Sequence, residues 1–75
     1  MTLDAFIGHF KELFNEPGDM RPETEFKNHP EWSSLVGLSV ISMVDEQYDV
    51  TLKGRDILNA ATIEDLFNTV KEKQD

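Results

Sequence analysis

Leu3, Phe6, Ile7, Phe10, Leu13 and Phe14 recur at helical spacing, while Asp4, Gly8, Lys11 and Glu12 fall on the opposite side. This pattern predicts an amphipathic helix over residues 3–15, with Thr2 as N-cap and Asn15 in a left-handed terminal conformation ahead of Pro17-Gly18. From Glu16 to Trp32 the periodicity disappears and all three prolines occur, at 17, 22 and 30. One long connection is expected there, pinned by Phe26 and Trp32 as apolar anchors. From Ser34 to Tyr48 the chain is apolar around most of a helical circumference, with Ser39, Ser42 and Glu46 as its polar stripe. Leu38, Ile41, Val44 and Tyr48 form its expected inward side, and Leu35 and Val36 lie near the polar edge, where exposure is expected.

Asp49-Val50-Thr51-Leu52 reads as a short extended linker, and a brief helical turn is expected at residues 56–59, with Ile57 and Leu58 plugging the core. Thr62, followed three residues later by Asp65, resembles a capping box that opens a last helix. Ile63, Leu66, Phe67 and Val70 share one face of that helix, and Lys71 and Lys73 sit near the negative end of its dipole. The expectation is therefore an all-α four-helix bundle with three longer helices, one short helix and a long first loop. With 75 residues it forms a single domain, 1–75, with one modest core.

Composition narrows the function classes. Seven basic against fifteen acidic residues give a net charge of −8, which repels nucleic-acid phosphates and anionic membrane surfaces and attracts basic protein patches. The chain has no cysteine, so any thiol chemistry must use a borrowed thiol, and no disulfide framework exists. No apolar run has the length of a secretion signal or a membrane span, so a cytoplasmic monomer is expected. Two histidines and no glycine-rich phosphate loop leave no visible catalytic constellation; His9 and His29 are expected at surface or boundary positions. Asp45, Glu46 and Asp49 lack the spacing of a calcium loop and read as a solvated acidic patch. The one chemically suggestive feature is the pair Ser33-Ser34 at the start of the central helix, for which capping is the simplest role.

The segment from Glu31 to Leu38, followed by Val44-Asp45-Glu46-Gln47-Tyr48-Asp49-Val50-Thr51-Leu52, resembles the acyl carrier protein family. That family has Asp-Ser-Leu at a helix start, then an apolar helix and an acidic-aromatic-acidic-apolar exit. Pro22-Glu23-Thr24-Glu25-Phe26 is similar to the loop that precedes the motif, and Ala61-Thr62-Ile63-Glu64-Asp65-Leu66 to the Thr-initiated final helix, so the likeness covers nearly the whole chain. The resemblance implies an acyl-carrier-like bundle in which Ser34 receives 4′-phosphopantetheine from coenzyme A and acyl groups ride on the arm as thioesters. It implies a non-catalytic protein of fatty-acid, polyketide or related biosynthesis. Its partners are then a phosphopantetheinyl transferase and acyl transferases or synthases with basic docking patches. Leu35, Val36, Ser39, Asp45 and Glu46 are the candidate partner-contacting residues.

Two departures from the family pattern stand out: Ser33 replaces the usual Asp, and Glu31-Trp32 occupies the place of a small Gly-containing turn. Ser33 can still cap the helix, and it is a rival attachment point. Val36, Ser39 and Ser42 make the docking helix less charged than in many fatty-acid carriers, which implies a specialised carrier with its own partners. The competing expectation is a small acidic four-helix module of inhibitor or immunity type that binds proteins and needs no prosthetic group; a carrier-like scaffold without its arm is a third.

Overall fold

The computed structural model describes residues 1–74. Four α-helices follow one another: α1, Leu3–Lys11; α2, Ser34–Tyr48; α3, Gly54–Asn59; and α4, Ile63–Gln74, with a single 3-10 turn at Phe26–Asn28 inside the long loop. No strand occurs among the described residues. The expected all-α order of long helix, long loop, central helix, short helix and closing helix is the observed one.

Helix α1 starts where its cap predicts, with the Thr2 hydroxyl accepting from the Ala5 N–H at 3.2 Å. It ends at Lys11, earlier than the expected Asn15. Beyond it the chain tightens into two three-residue turns, Leu13 N–H to the Phe10 carbonyl and Phe14 N–H to the Lys11 carbonyl, both at 3.1 Å. Phe14 still reaches the core, and Asn15 does not adopt the left-handed conformation. A side chain from the far end of the loop ends the helix instead: the Glu31 carboxylate accepts from the N–H groups of Asn15 and Glu16 at 2.9 and 2.8 Å. Those two donors hold the Glu31 pKa below its ordinary value, with the nearby His29 adding a smaller push.

Eight side chains are wholly enclosed: Phe6, Phe10 and Phe26, with Val40, Val44, Ile63, Leu66 and Val70. Phe6 lies 6.2 Å from Phe10 and 5.5 Å from Phe67 between ring centroids; Phe10 meets Phe26 edge-on at 5.3 Å, and Phe26 meets Trp32 at 5.1 Å. One aromatic chain thus ties α1, α4 and the loop together. Full burial of each such side chain is worth about 1.5–3 kcal/mol. The loop pins predicted from Phe26 and Trp32 are therefore present, with Phe26 wholly buried and Trp32 half-buried against the core.

The loop also completes α4. Its carbonyls at Thr24 and Pro22 accept from the Ile63 and Glu64 N–H groups at 3.1 and 2.9 Å, which satisfies donors that a helix start leaves unpaired. Thr62 and Asp65 form the expected reciprocal cap: the Asp65 N–H donates to the Thr62 hydroxyl, and the Asp65 carboxylate accepts from the Thr62 and Ala61 N–H groups, all at 3.1 Å. Ile63, Leu66, Phe67 and Val70 are all buried, as their spacing predicted.

Two expectations about inward faces hold only in part. Helix α2 buries Val44, as expected, together with Gly37, Val40 and Met43; Ile41 and Tyr48 pack half-buried against the core, and Leu38 turns out to solvent at 60% exposure. Its apolar residues wrap nearly all the way round, so the sequence carries little phase information, and the packing of α1 and α4 chooses the face. In α3, Ile57 enters the core but Leu58, one helical step of about 100° further on, points to solvent and is 74% exposed. The short helix also begins two residues before the expected Asp56, at Gly54, with the Asp56 carboxylate accepting from the Lys53 N–H at 2.8 Å.

Candidate functional site at the start of the central helix

Ser33 and Ser34 play different parts. Ser33 is the N-cap of α2, in extended conformation, and its hydroxyl accepts from the Val36 N–H at 3.3 Å. Ser34 is the first helical residue, exposed, and its hydroxyl makes no hydrogen bond among the described residues. The two serines thus divide capping and display between them. The N–H groups of the first turn point toward this end of α2, so an anionic ester there meets the positive end of the helix dipole.

At about 100° per residue, Ser34, Gly37, Leu38 and Ile41 lie within one narrow sector of α2. Opposite that sector stand Gly54, Ile57 and Leu58 of α3, and between them runs a cleft of about 300 Å³, lined also by Trp32 and Lys27. Its walls are mostly apolar, and Ser34 is among the residues that line it. The indole of Trp32 rests over Gly37, where an added Cβ would meet the ring at 3.6 Å, ordinary contact distance. Leu38 and Leu58, 60% and 74% exposed, flank the mouth.

The candidate partner-contacting residues separate. Leu35, Ser39 and Glu46 line a second open groove of about 410 Å³ between α1 and α2, together with Leu38, Ser42, Glu12 and His9. Leu35 is 73% exposed, a free apolar surface at the first turn. Ser39 is half-buried and its hydroxyl donates back to the Leu35 carbonyl at 3.3 Å. Asp45 is exposed but belongs to the next sector round the helix, beside Leu38. Val36 is the correction: it is half-buried and packs against the core, about 100° from Leu35, so it is a poor contact residue.

Lys27 and Leu38 are additions that the sequence did not single out. Lys27 reaches across the loop to the carbonyl ends of α3, donating to Ile57 and Leu58 at 3.1 and 2.8 Å. It lies 30 and 31 residues from its acceptors, a distance over which no local pattern gives a signal. The two histidines occupy the expected boundary positions; His29 Nδ1 accepts from the Glu31 N–H at 3.0 Å and Nε2 lies 3.1 Å from the Glu16 carbonyl, inside the loop clasp.

No helix among the described residues is long and apolar enough to cross a membrane. Compared with known protein families, curated proteins and solved structures, the chain matches none.

Proposed function

We propose that this chain is an acyl carrier whose 4′-phosphopantetheine arm is attached at Ser34. The observation that carries the reading is the state of that hydroxyl: exposed, unbonded and in the first turn of α2, while the neighbouring Ser33 hydroxyl is committed to capping. The residues present suit the group, because an esterified phosphate at Ser34 stays in solvent near unpaired helix N–H groups and displaces no existing contact. When bound, the arm supplies the thiol that a cysteine-free chain lacks. Carriers are substrates of other enzymes, so no general base beside Ser34 is required.

The apolar cleft alongside Ser34 supports the reading further, since it offers an aliphatic cargo somewhere to leave water. Partners in this reading are a phosphopantetheinyl transferase and acyl-handling enzymes with basic patches. The net charge of −8 speeds encounter with them, Glu46 and Glu12 steer the approach, and Leu35 and Leu38 give apolar contact at the site itself.

Intact mass spectrometry after incubation with coenzyme A and a promiscuous phosphopantetheinyl transferase tests the proposal. One arm should add to the wild type and to Ser33→Ala, and none to Ser34→Ala. Modification that survives Ser34→Ala moves the site to Ser33. No modification by several transferases favours the second reading, an acidic protein-binding module, for which the leucine-lined groove with Glu12 and Glu46 at its rim is the specific support.

A further inference from the structure

The two walls of the cleft beside Ser34 differ in how much they bury. One is α2, whose opposite face is sunk in the core. The other is α3, a six-residue helix that buries a single side chain of its own, Ile57, between the buried flanking residues Leu52 and Ala60. Near its start α3 is held by the Asp56–Lys73 ion pair at 3.4 Å. At its other end, the only side chain among the described residues that reaches its last carbonyls is Lys27, whose ammonium group donates to Ile57 and Leu58.

A lysine in this place suits the negative end of a helix dipole, supplying a donor to the Leu58 carbonyl and a second one to the Ile57 carbonyl, which also accepts from the Ala60 N–H at 3.3 Å. The stem of Lys27 departs from the 3-10 turn at Phe26–Asn28, which the wholly buried Phe26 ring anchors. Lys27 also lines the cleft. It is thus a strut from the anchored turn of the loop to the α3 wall. Widening the cleft means drawing Ile57 and Leu58 away from α2, and that breaks two hydrogen bonds to a charged donor.

We propose that Lys27 is a latch that fixes the opening of the α2–α3 cleft and so sets the largest aliphatic cargo that can shelter beside Ser34. This rests on the carrier reading. The cleft, at about 300 Å³, lies at the small end of ligand pockets, which suits short chains. Longer chains either stay outside or dislodge Lys27. Lys27 is a positioning residue: it touches α3, and the size limit follows from where α3 stands.

Because the chain has no cysteine and a single tryptophan, at the cleft, a transferase-free experiment is open. Ser34→Cys gives one thiol, to which alkyl methanethiosulfonates from butyl to dodecyl add straight chains as mixed disulfides. Trp32 emission and the thermal midpoint then read burial of the chain. With Lys27 in place, both should shift with each added methylene up to a limit and then level off. In Ser34→Cys/Lys27→Met the limit should move outward by about two methylenes or more, since each additional buried methylene still contributes. Lys27→Arg, which keeps charge and donors, should restore the shorter limit, and Lys27→Gln should fall between.

Circular dichroism of the unlabelled variants establishes that each is folded, and Lys27→Gln serves if Lys27→Met is not. Equal limits in all variants, or no dependence on chain length in any, overturns the latch. Neither result bears on whether a transferase modifies Ser34, which the mass experiment decides separately.

Discussion

At the scale of single residues, the division of labour between two adjacent hydroxyls decides how substitutions there behave. The Ser33 hydroxyl satisfies a first-turn N–H that would otherwise face water without a fixed partner, and loss of such a cap costs about 1 kcal/mol. In a chain of this size that lowers the melting temperature by about 4–8 °C. Ser34→Ala removes an unbonded, exposed hydroxyl at a helical position and should leave the midpoint within about 0.5 kcal/mol of wild type. Thermal unfolding of the two variants followed at a helical wavelength checks the contrast. A larger loss in Ser34→Ala than in Ser33→Ala would mean that the capping roles are reversed. The pair was legible in the sequence, with Ser33 as cap and Ser34 displayed by resemblance, and the extended backbone of Ser33 is what commits its hydroxyl to the Val36 N–H. Lys27 was not legible at all, because a lysine in a loop carries no mark of the distant carbonyls it will meet.

At the scale of elements, ends were easier to read than faces. Both ends of α2 fall at Ser34 and Tyr48, as the capping serine and the acidic exit predicted, because caps are local chemistry. The end of α1 was misplaced since its terminator, Glu31, arrives from 15 or 16 residues away. The buried face of α2 was misjudged because leucines and valines on every side leave rotation to the neighbours; Leu38 and Leu58 are the residues that this ambiguity hid, and both border the candidate site. The exit of α2 contains a separate lesson. Asp49 closes the helix with φ 55° and ψ 41°, a left-handed conformation that most L residues adopt at a cost of about 1–2 kcal/mol and that Asp tolerates better. Asp49→Ala should therefore destabilise, and Asp49→Gly should match or exceed the wild type, by up to about 1 kcal/mol. Urea midpoints in the order Gly, Asp, Ala, from most to least stable, are expected; an Ala variant as stable as wild type would show that the cap conformation carries no strain.

At the scale of the whole molecule, the long loop acts as a strap that touches every helix: Glu31 ends α1, the Pro22 and Thr24 carbonyls start α4, Lys27 holds α3, and Trp32 leans on α2. One contact of that strap and two helix caps depend on carboxylates being ionised. Glu31 is held below its ordinary pKa chiefly by the Asn15 N–H, Asp65 by the Thr62 N–H, and Asp56 by the Lys53 N–H with help from Lys73. A carboxylate whose folded pKa lies below its unfolded value stabilises the fold fully above the unfolded value, and that stability drains away as pH falls through the folded one. The net charge of −8 acts in the opposite sense, because it makes the folded chain repel itself, and a fall in that charge with pH relieves the repulsion.

The two effects occupy different pH windows. Relief of the repulsion grows as the net charge shrinks toward the isoelectric point of about 4.5, while Glu31, Asp56 and Asp65 are each held below their ordinary values. Stability should thus be flat or slightly rising from neutral pH to about 5, and should fall steeply once pH drops below about 4. Glu31→Gln should blunt that fall and at neutral pH reduce stability, since a neutral amide accepts less strongly from the Asn15 and Glu16 N–H groups. Added salt should stabilise the protein at pH 7 and lose that effect near pH 4.5, where the charge it screens has been neutralised. Urea titrations across this range at low and high salt separate the terms. If stability declined steadily from pH 7 downward at both ionic strengths, self-repulsion would be negligible and the strap carboxylates would already be protonating in the ordinary range, against the hydrogen bonding that holds them ionised.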